Sequence, residues 1–221
     1  MILAAKCAPD RKILSEIKES GIEAVEIFLS KEILNSLDDN ISICKDYNFK
    51  YALHAPNDCF MPNELLKFAE SIGAGVVVQH DILWEDEWIE LINLFKNKNI
   101  KLCVENITSA FNWTKFNRRY GLGVCLDLEH LIFEVGGVFE EEFERTIKSA
   151  NHIHMTGYTA GSDKWHSHIH YSEEQSKKFL GMISRSGYSG MIVSEARVLY
   201  QSLDEFKNLK IFFDKTENGR M

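Results

Sequence analysis

The chain is short of most features that would take it out of the ordinary globular class. Its 221 residues include only three prolines and 13 glycines, so no proline-rich spacer or glycine-rich segment divides it. Its five cysteines are odd in number and form no Cys-x-x-Cys pair. That argues against a disulfide framework and predicts a reducing, cytoplasmic setting. No apolar run approaches the ~18 residues of a membrane span, and the stretch 2–5 ahead of Lys6 is too short for a secretion-signal core. No membrane partner is expected. Basic residues are outnumbered, 25 against 33, for a formal charge of −8. This disfavours a broad basic face for nucleic acid, although bound cations can reverse the sign locally. No Gly-x-Gly-x-x-Gly turn follows the first apolar run, which removes the signature of an open dinucleotide-binding sheet.

What is present is a regular alternation. Short apolar runs at 2–5, 22–28, 49–53, 75–79, 100–104, 123–126, 152–155 and 191–194 read as strands. Amphipathic stretches separate them. Asp10 and Ser30 can cap helices, Pro62 suits a first helical turn, and Ser172 with Gln175 and Ser202 with Glu205 read as capping boxes. A weaker helix covers roughly 112–119, and Phe139, Phe143 and Ile147 mark another. Eight strand–helix units at near-even spacing predict an α/β fold, a single compact (β/α)8 barrel over 1–214 with a polar tail at 215–221. The one long interval holds a polar loop over about 156–171, and long rim loops usually carry function.

The eight histidines fall at or just past strand ends: His54, His80, His130, His152, His154, His166, His168 and His170. Glu105, Asp127 and Glu195 close three further strands. A barrel gathers such ends on one rim, where imidazoles and carboxylates suit a divalent metal. Candidate ligands are therefore His54, His80, Glu105, Asp127, His130, His154, His166, His168 and Glu195. Asp127-Leu-Glu-His130 is the sharpest local pattern, with Glu129 expected to point to solvent. His152 lies one layer below His154 and suits a supporting role. If the run 166–170 is extended, alternation sends its three histidines the same way. Lys6 and Arg197 are each open to two uses, holding a phosphate or carboxylate or pairing with a rim acid such as Glu26. Arg118-Arg119 reads as a solvated face. Cys103 and Cys125 read as small buried hydrophobes.

The ordered set Val25-Glu26-Ile27, His54-Ala-Pro56, Val-Val-Val-Gln-His80, Val104-Glu105-Asn106, Asp127-Leu-Glu-His130, Ile153-His154 and Ser-Glu195 resembles the xylose isomerase-like barrels, which include endonuclease IV-type enzymes. In the isomerase and epimerase branch, the resemblance implies one divalent ion at Glu105, Asp127, His154 and Glu195. The two glutamates there also act as acid and base. In the endonuclease IV branch it implies zinc ions at a larger set that adds His54, His80, His130 and His168. His166 stands where that branch has an aspartate. The cofactor expected is zinc or manganese, one to three ions per chain.

The leading expectation is a metal-dependent isomerase or epimerase of a small sugar or sugar phosphate. Glu105 and Glu195 would be catalytic, and Lys6, Asn106 and Arg197 would contact substrate. The alternative is a zinc phosphodiesterase acting on abasic DNA or another phosphodiester. A barrel that only binds metal or sugar is a third reading, disfavoured by an acid/base pair beside an open metal position.

Overall fold

A computed structural model describes residues 1–106, 119–135, 139–157 and 166–219. Eight parallel strands close into a barrel in sequence order. They are β1 (Ile2–Cys7), β2 (Ala24–Phe28), β3 (Lys50–His54), β4 (Val76–His80), β5 (Lys101–Glu105), β6 (Gly123–Asp127), β7 (His152–Met155) and β8 (Met191–Ser194). Among the described residues the outer helices are α1 (Arg11–Glu19), α2 (Lys31–Asn35), α3 (Leu37–Lys45), α4 (Pro62–Ile72), α5 (Glu85–Phe95), α6 (Leu128–Val135), α7 (Phe139–Thr146), α8 (Glu173–Arg185) and α9 (Leu203–Asn218). Among the described residues no helix is long and apolar enough to cross a membrane. Of the helix expected over roughly 112–119, residues 112–118 lie outside the described residues.

The period-2 alternation of each strand separates two cores. Outward residues such as Leu3, Ala5, Val25, Ile27, Leu53, Val77 and Val104 pack under the helices with Leu14, Ile17, Phe68, Trp88 and Phe179. Inward residues form smaller clusters at the barrel floor: Ala4, Ala24 and Val193 on one side, and Val78, Cys103 and Cys125 on the other. Cys103 and Cys125 are thus buried small hydrophobes, and all five cysteines are free. Above this floor the same inward positions become polar. The ladder register sets Lys6 beside Glu26, His80 beside Glu105 and Asp127 beside His154. Residues 20 or more apart in sequence therefore share one level of the rim.

Local signals explain most helix starts. The Asp10 side chain accepts from the Ile13 N–H at 2.9 Å, and Ser30 accepts from Ile33 at 3.3 Å. Pro62 opens α4. Ser172 differs from expectation: its hydroxyl meets Ser176 at 3.2 Å instead of capping α8. A 3-10 turn over Ile169–Ser172 runs straight into that helix and takes the place of an open N-terminus. The last helix also runs further than expected, to Asn218. Buried Phe212 and Phe213 anchor it, and the Thr216 hydroxyl donates to the Phe212 carbonyl at 2.9 Å.

Candidate active site

The rim encloses a cavity of about 470 Å³ lined by Lys6, Phe28, His54, His80, Glu105, His130, His166, Glu195, Arg197 and Val198, among others. Its floor is a nest of buried acids and imidazoles. Glu105, from the end of β5, is 1% exposed. His54 Nε2 lies 3.1 Å and His80 Nε2 3.2 Å from its Oε2. His130 and His154 each bring Nδ1 to 3.4 Å from its Oε1. Burial alone would raise the Glu105 pKa, but the His154 charge and the imidazole contacts hold it well below the ordinary carboxylate range.

Asp127 is placed by its backbone. Its N–H donates to Asn106 Oδ1 at 2.7 Å, and its carbonyl accepts from Asn106 Nδ2 at 3.0 Å. One carboxylate oxygen caps α6 by accepting the His130 N–H at 2.7 Å. The other lies 3.9 Å from His154 Nδ1. Asp127 is thus at once a helix cap and a member of the cluster. Burial pushes its pKa up to about 7, with Glu105 and Glu195 adding repulsion against the pull of His130 and His154. Asn106, expected to contact substrate, instead spends both ends of its buried amide on Asp127.

His154 is the centre of the arrangement. Its Nε2 lies 3.1 Å from Glu26 Oε2. Its Nδ1 faces Glu195 Oε1 at 2.9 Å, with the Glu105 and Asp127 oxygens further out, yet this fully buried nitrogen has no hydrogen-bond partner. Burial opposes a charge on His154, but the surrounding carboxylates of Glu26, Glu195 and Glu105 raise its pKa well above the ordinary histidine value. The cage attracts positive charge. A divalent ion fits in place of the His154 proton among these three carboxylates, and Glu105, Asp127, His154 and Glu195 would be its ligands. The ligand atoms of Asp127, His154 and Glu195 lie within 4.8 Å of one another, and Glu105 forms a second such group with His154 and Cys125.

The neighbouring imidazoles are oriented by backbone carbonyls. His54 Nδ1 faces the Ala55 carbonyl at 3.0 Å, and His130 Nδ1 faces that of Asn106 at 2.8 Å. Each therefore donates from Nδ1 to that carbonyl, which fixes the orientation of its ring. His54 Nε2 and His80 Nε2 are 3.1 Å apart, so this pair can satisfy itself by hydrogen bonding with Glu105.

Lys6 resolves to the second of its two expected uses. Its ammonium bonds Glu195 and lies 3.4 Å from Glu26. Burial would lower its pKa, but Glu195, Glu26 and Glu105 hold it above the ordinary lysine range. In return Lys6 and His154 overcome the burial of Glu195 and hold that carboxyl well below its usual range.

Three placements differ from the sequence expectation. His168 is not in the cluster: Nδ1 meets the Ser194 hydroxyl at 3.0 Å and Nε2 the Tyr200 carbonyl at 3.2 Å. Ser194 points outward from β8, so His168 belongs to the layer between strand and helix. His170 likewise turns to Glu205, at 3.2 Å. The run 166–170 fails to alternate because His166 takes a left-handed backbone, φ 48°, and Ile169 begins a 3-10 turn. His166 alone of the three lines the cavity. Glu129 is buried, not solvated. It accepts from the Thr156 hydroxyl at 2.6 Å because the first turn of α6 lies against the end of β7.

Glu26 is the residue that sequence reasoning underrated. It is fully buried and accepts from His152 Nε2 at 2.7 Å while meeting His154 and Lys6. Burial would raise its pKa, but His154, Lys6 and His152 hold it well below the carboxylate range. The available signal was the acid within the apolar strand Ala24–Phe28. Arg119, half of the expected solvated basic pair, is exposed and bonds Glu85 at 2.7 Å; Arg118 lies outside the described residues.

No protein-family model and no curated protein sequence matches the chain. Its fold is nevertheless shared with solved structures. A D-allulose 3-epimerase from Methylomonas sp., in complex with D-allulose, superposes with a TM-score of 0.70 at 12% identity, covering 97% of this chain and 96% of that one. Another structure of that epimerase gives 0.68 at 11% identity, with 98% of each chain covered. A phosphoribosyl anthranilate isomerase from Thermotoga maritima gives 0.59 at 11% identity, covering 99% of this chain and 100% of its own. Over nearly its whole length, the chain is a (β/α)8 barrel similar in fold to a sugar epimerase.

Proposed function

We propose that the protein is a divalent-metal-dependent epimerase or isomerase of a small sugar-like substrate, with Glu105 and Glu195 as its proton-transfer pair. The observation that carries this reading is His154 Nδ1 ringed by the carboxylates of Glu105, Asp127 and Glu195 at the floor of an open cavity. Glu105, Asp127, His154 and Glu195 would hold the ion, and it would supply Lewis-acid polarisation of the sugar carbonyl, acidifying the hydrogen on the neighbouring carbon. The chain's own residues do the rest. Glu195, kept ionised by Lys6, and Glu105, contacted by His54 and His80, reach the same point from β8 and β5. One takes the proton from carbon and the other returns one on the opposite face, exchanging roles with direction. The fold likeness to a D-allulose 3-epimerase supports a small sugar.

The test is deuterium incorporation. Metal-loaded protein is incubated in D₂O with a panel of ketoses and aldoses, and exchange next to the carbonyl is followed by NMR. Exchange on at least one sugar is expected; none on any sugar, with metal bound, refutes the reading.

A phosphodiesterase with further ions is favoured by one observation, the close grouping of His54, His80 and Glu105. Binding to abasic DNA that falls steeply with salt would support it.

A further inference from the structure

We infer that Arg197 and His166 form a subsite for an anionic group, a phosphate or a carboxylate, carried at the end of the substrate remote from the reacting carbon. The inference rests on the proposed sugar chemistry of the cavity and adds the class of substrate.

The charges of the cavity point to it. Lys6 is consumed by Glu195 and Glu26, and Glu105 is surrounded by imidazoles. Arg197 also lines the cavity, but it is exposed, and among the described residues its guanidinium has no ion-pair partner. The protein's own charges make no use of it. Its backbone, by contrast, is fixed. The Arg197 N–H donates to the His166 carbonyl at 2.8 Å, and the Arg197 carbonyl accepts from Tyr200 at 2.9 Å.

His166 is held in a conformation that L residues seldom adopt, φ 48°. Such a backbone persists only where its surroundings impose it, and these places cluster at ligand sites. Here the bond from Arg197 imposes it on one side. On the other, His166 Nδ1 lies 3.5 Å from buried Glu129 Oε2, and the residue lines the cavity. The two side chains come from the loops after β7 and β8, where barrels of this kind often take phosphate. A guanidinium fork matches phosphate and carboxylate oxygens in pairs. Phe28, 39% exposed, and Val198, 79% exposed, form apolar lips that a carbon chain would cover, excluding water and strengthening the charge contact.

Isothermal titration of the metal-loaded full chain at fixed salt tests this with three probes: D-allulose, D-allulose 6-phosphate and a hexuronate. The expected result is that one charged probe binds about tenfold or more tighter than D-allulose. Arg197→Gln should shrink that preference about tenfold or more. His166→Asn, which keeps a residue tolerant of the left-handed backbone, should shrink it in part. The charged probe that wins tells phosphate from carboxylate. No charged preference, or equal weakening of charged and neutral probes by Arg197→Gln, overturns the subsite. The two proposals fail separately. Deuterium exchange on a neutral sugar without a charged preference refutes only the subsite. A charged preference with no exchange on any sugar supports the subsite and refutes the epimerase reading.

Discussion

His154 Nδ1 and Glu195 Oε1 face each other at 2.9 Å as a buried ion pair. Glu105 and Asp127 oxygens complete the ring around that nitrogen. The ring concentrates negative charge around one imidazole, the setting in which a divalent ion can replace the proton of His154.

The proton-transfer pair makes the first. Glu105→Gln and Glu195→Gln should each reduce deuterium exchange about 10²–10⁴-fold, the usual worth of a positioned acid or base. Because both residues are also proposed ligands, metal content is measured on the same samples. A variant that keeps its metal and exchanges at the wild-type rate has lost no acid or base, which removes its glutamate from the mechanism.

Asn106 acts through Asp127. Asn106→Ala removes both bonds that fix the Asp127 backbone and should weaken metal binding about 10–100-fold, as outer-sphere changes commonly do. Unchanged affinity in a folded variant would show that Asp127 is held by its helix-capping bond alone.

Glu26 is a support below the site. It gathers His152, His154 and Lys6 around one fully buried carboxylate. Glu26→Ala leaves those groups without their acceptor and should cost about 3–5 kcal/mol in urea unfolding, the loss expected when a buried charged pair is broken. A loss below about 1 kcal/mol would mean that the remaining groups neutralise or hydrate freely.

His168 sets an acid-sensitive contribution to stability. Burial lowers its pKa to about 3, aided by His170. The folded value lies below the unfolded one, so this contribution is complete above about pH 6.5 and is lost as the pH falls toward 3. His168→Gln should remove one proton's worth of slope, about 1.4 kcal/mol per pH unit, from the stability profile between pH 6 and 4. Parallel profiles for the two proteins would contradict the assignment.

The strand order, the barrel and the rim level of Glu105, Asp127, His154 and Glu195 were legible in the sequence, because strand period and strand spacing decide them. What stayed hidden depends on local backbone. The outward face of Ser194 draws His168 out of the cavity, and a left-handed residue at 166 breaks the alternation of the histidine run. The tight first turn of α6 buries Glu129. Asn106 looked like a substrate contact until its amide was found closed on Asp127. Lys6 carried two equal readings because the choice depends on Glu195, 189 residues away and adjacent only once the barrel closes.

The central claim is a single divalent ion at the Glu105, Asp127, His154 and Glu195 ring. Elemental analysis of untagged protein purified without chelators tests it most directly, with Asp127→Asn beside the wild type. About one ion per chain, zinc or manganese, is expected, with most of it lost in the variant. Absence of bound metal after saturation and desalting, or an equal load in Asp127→Asn, would contradict it.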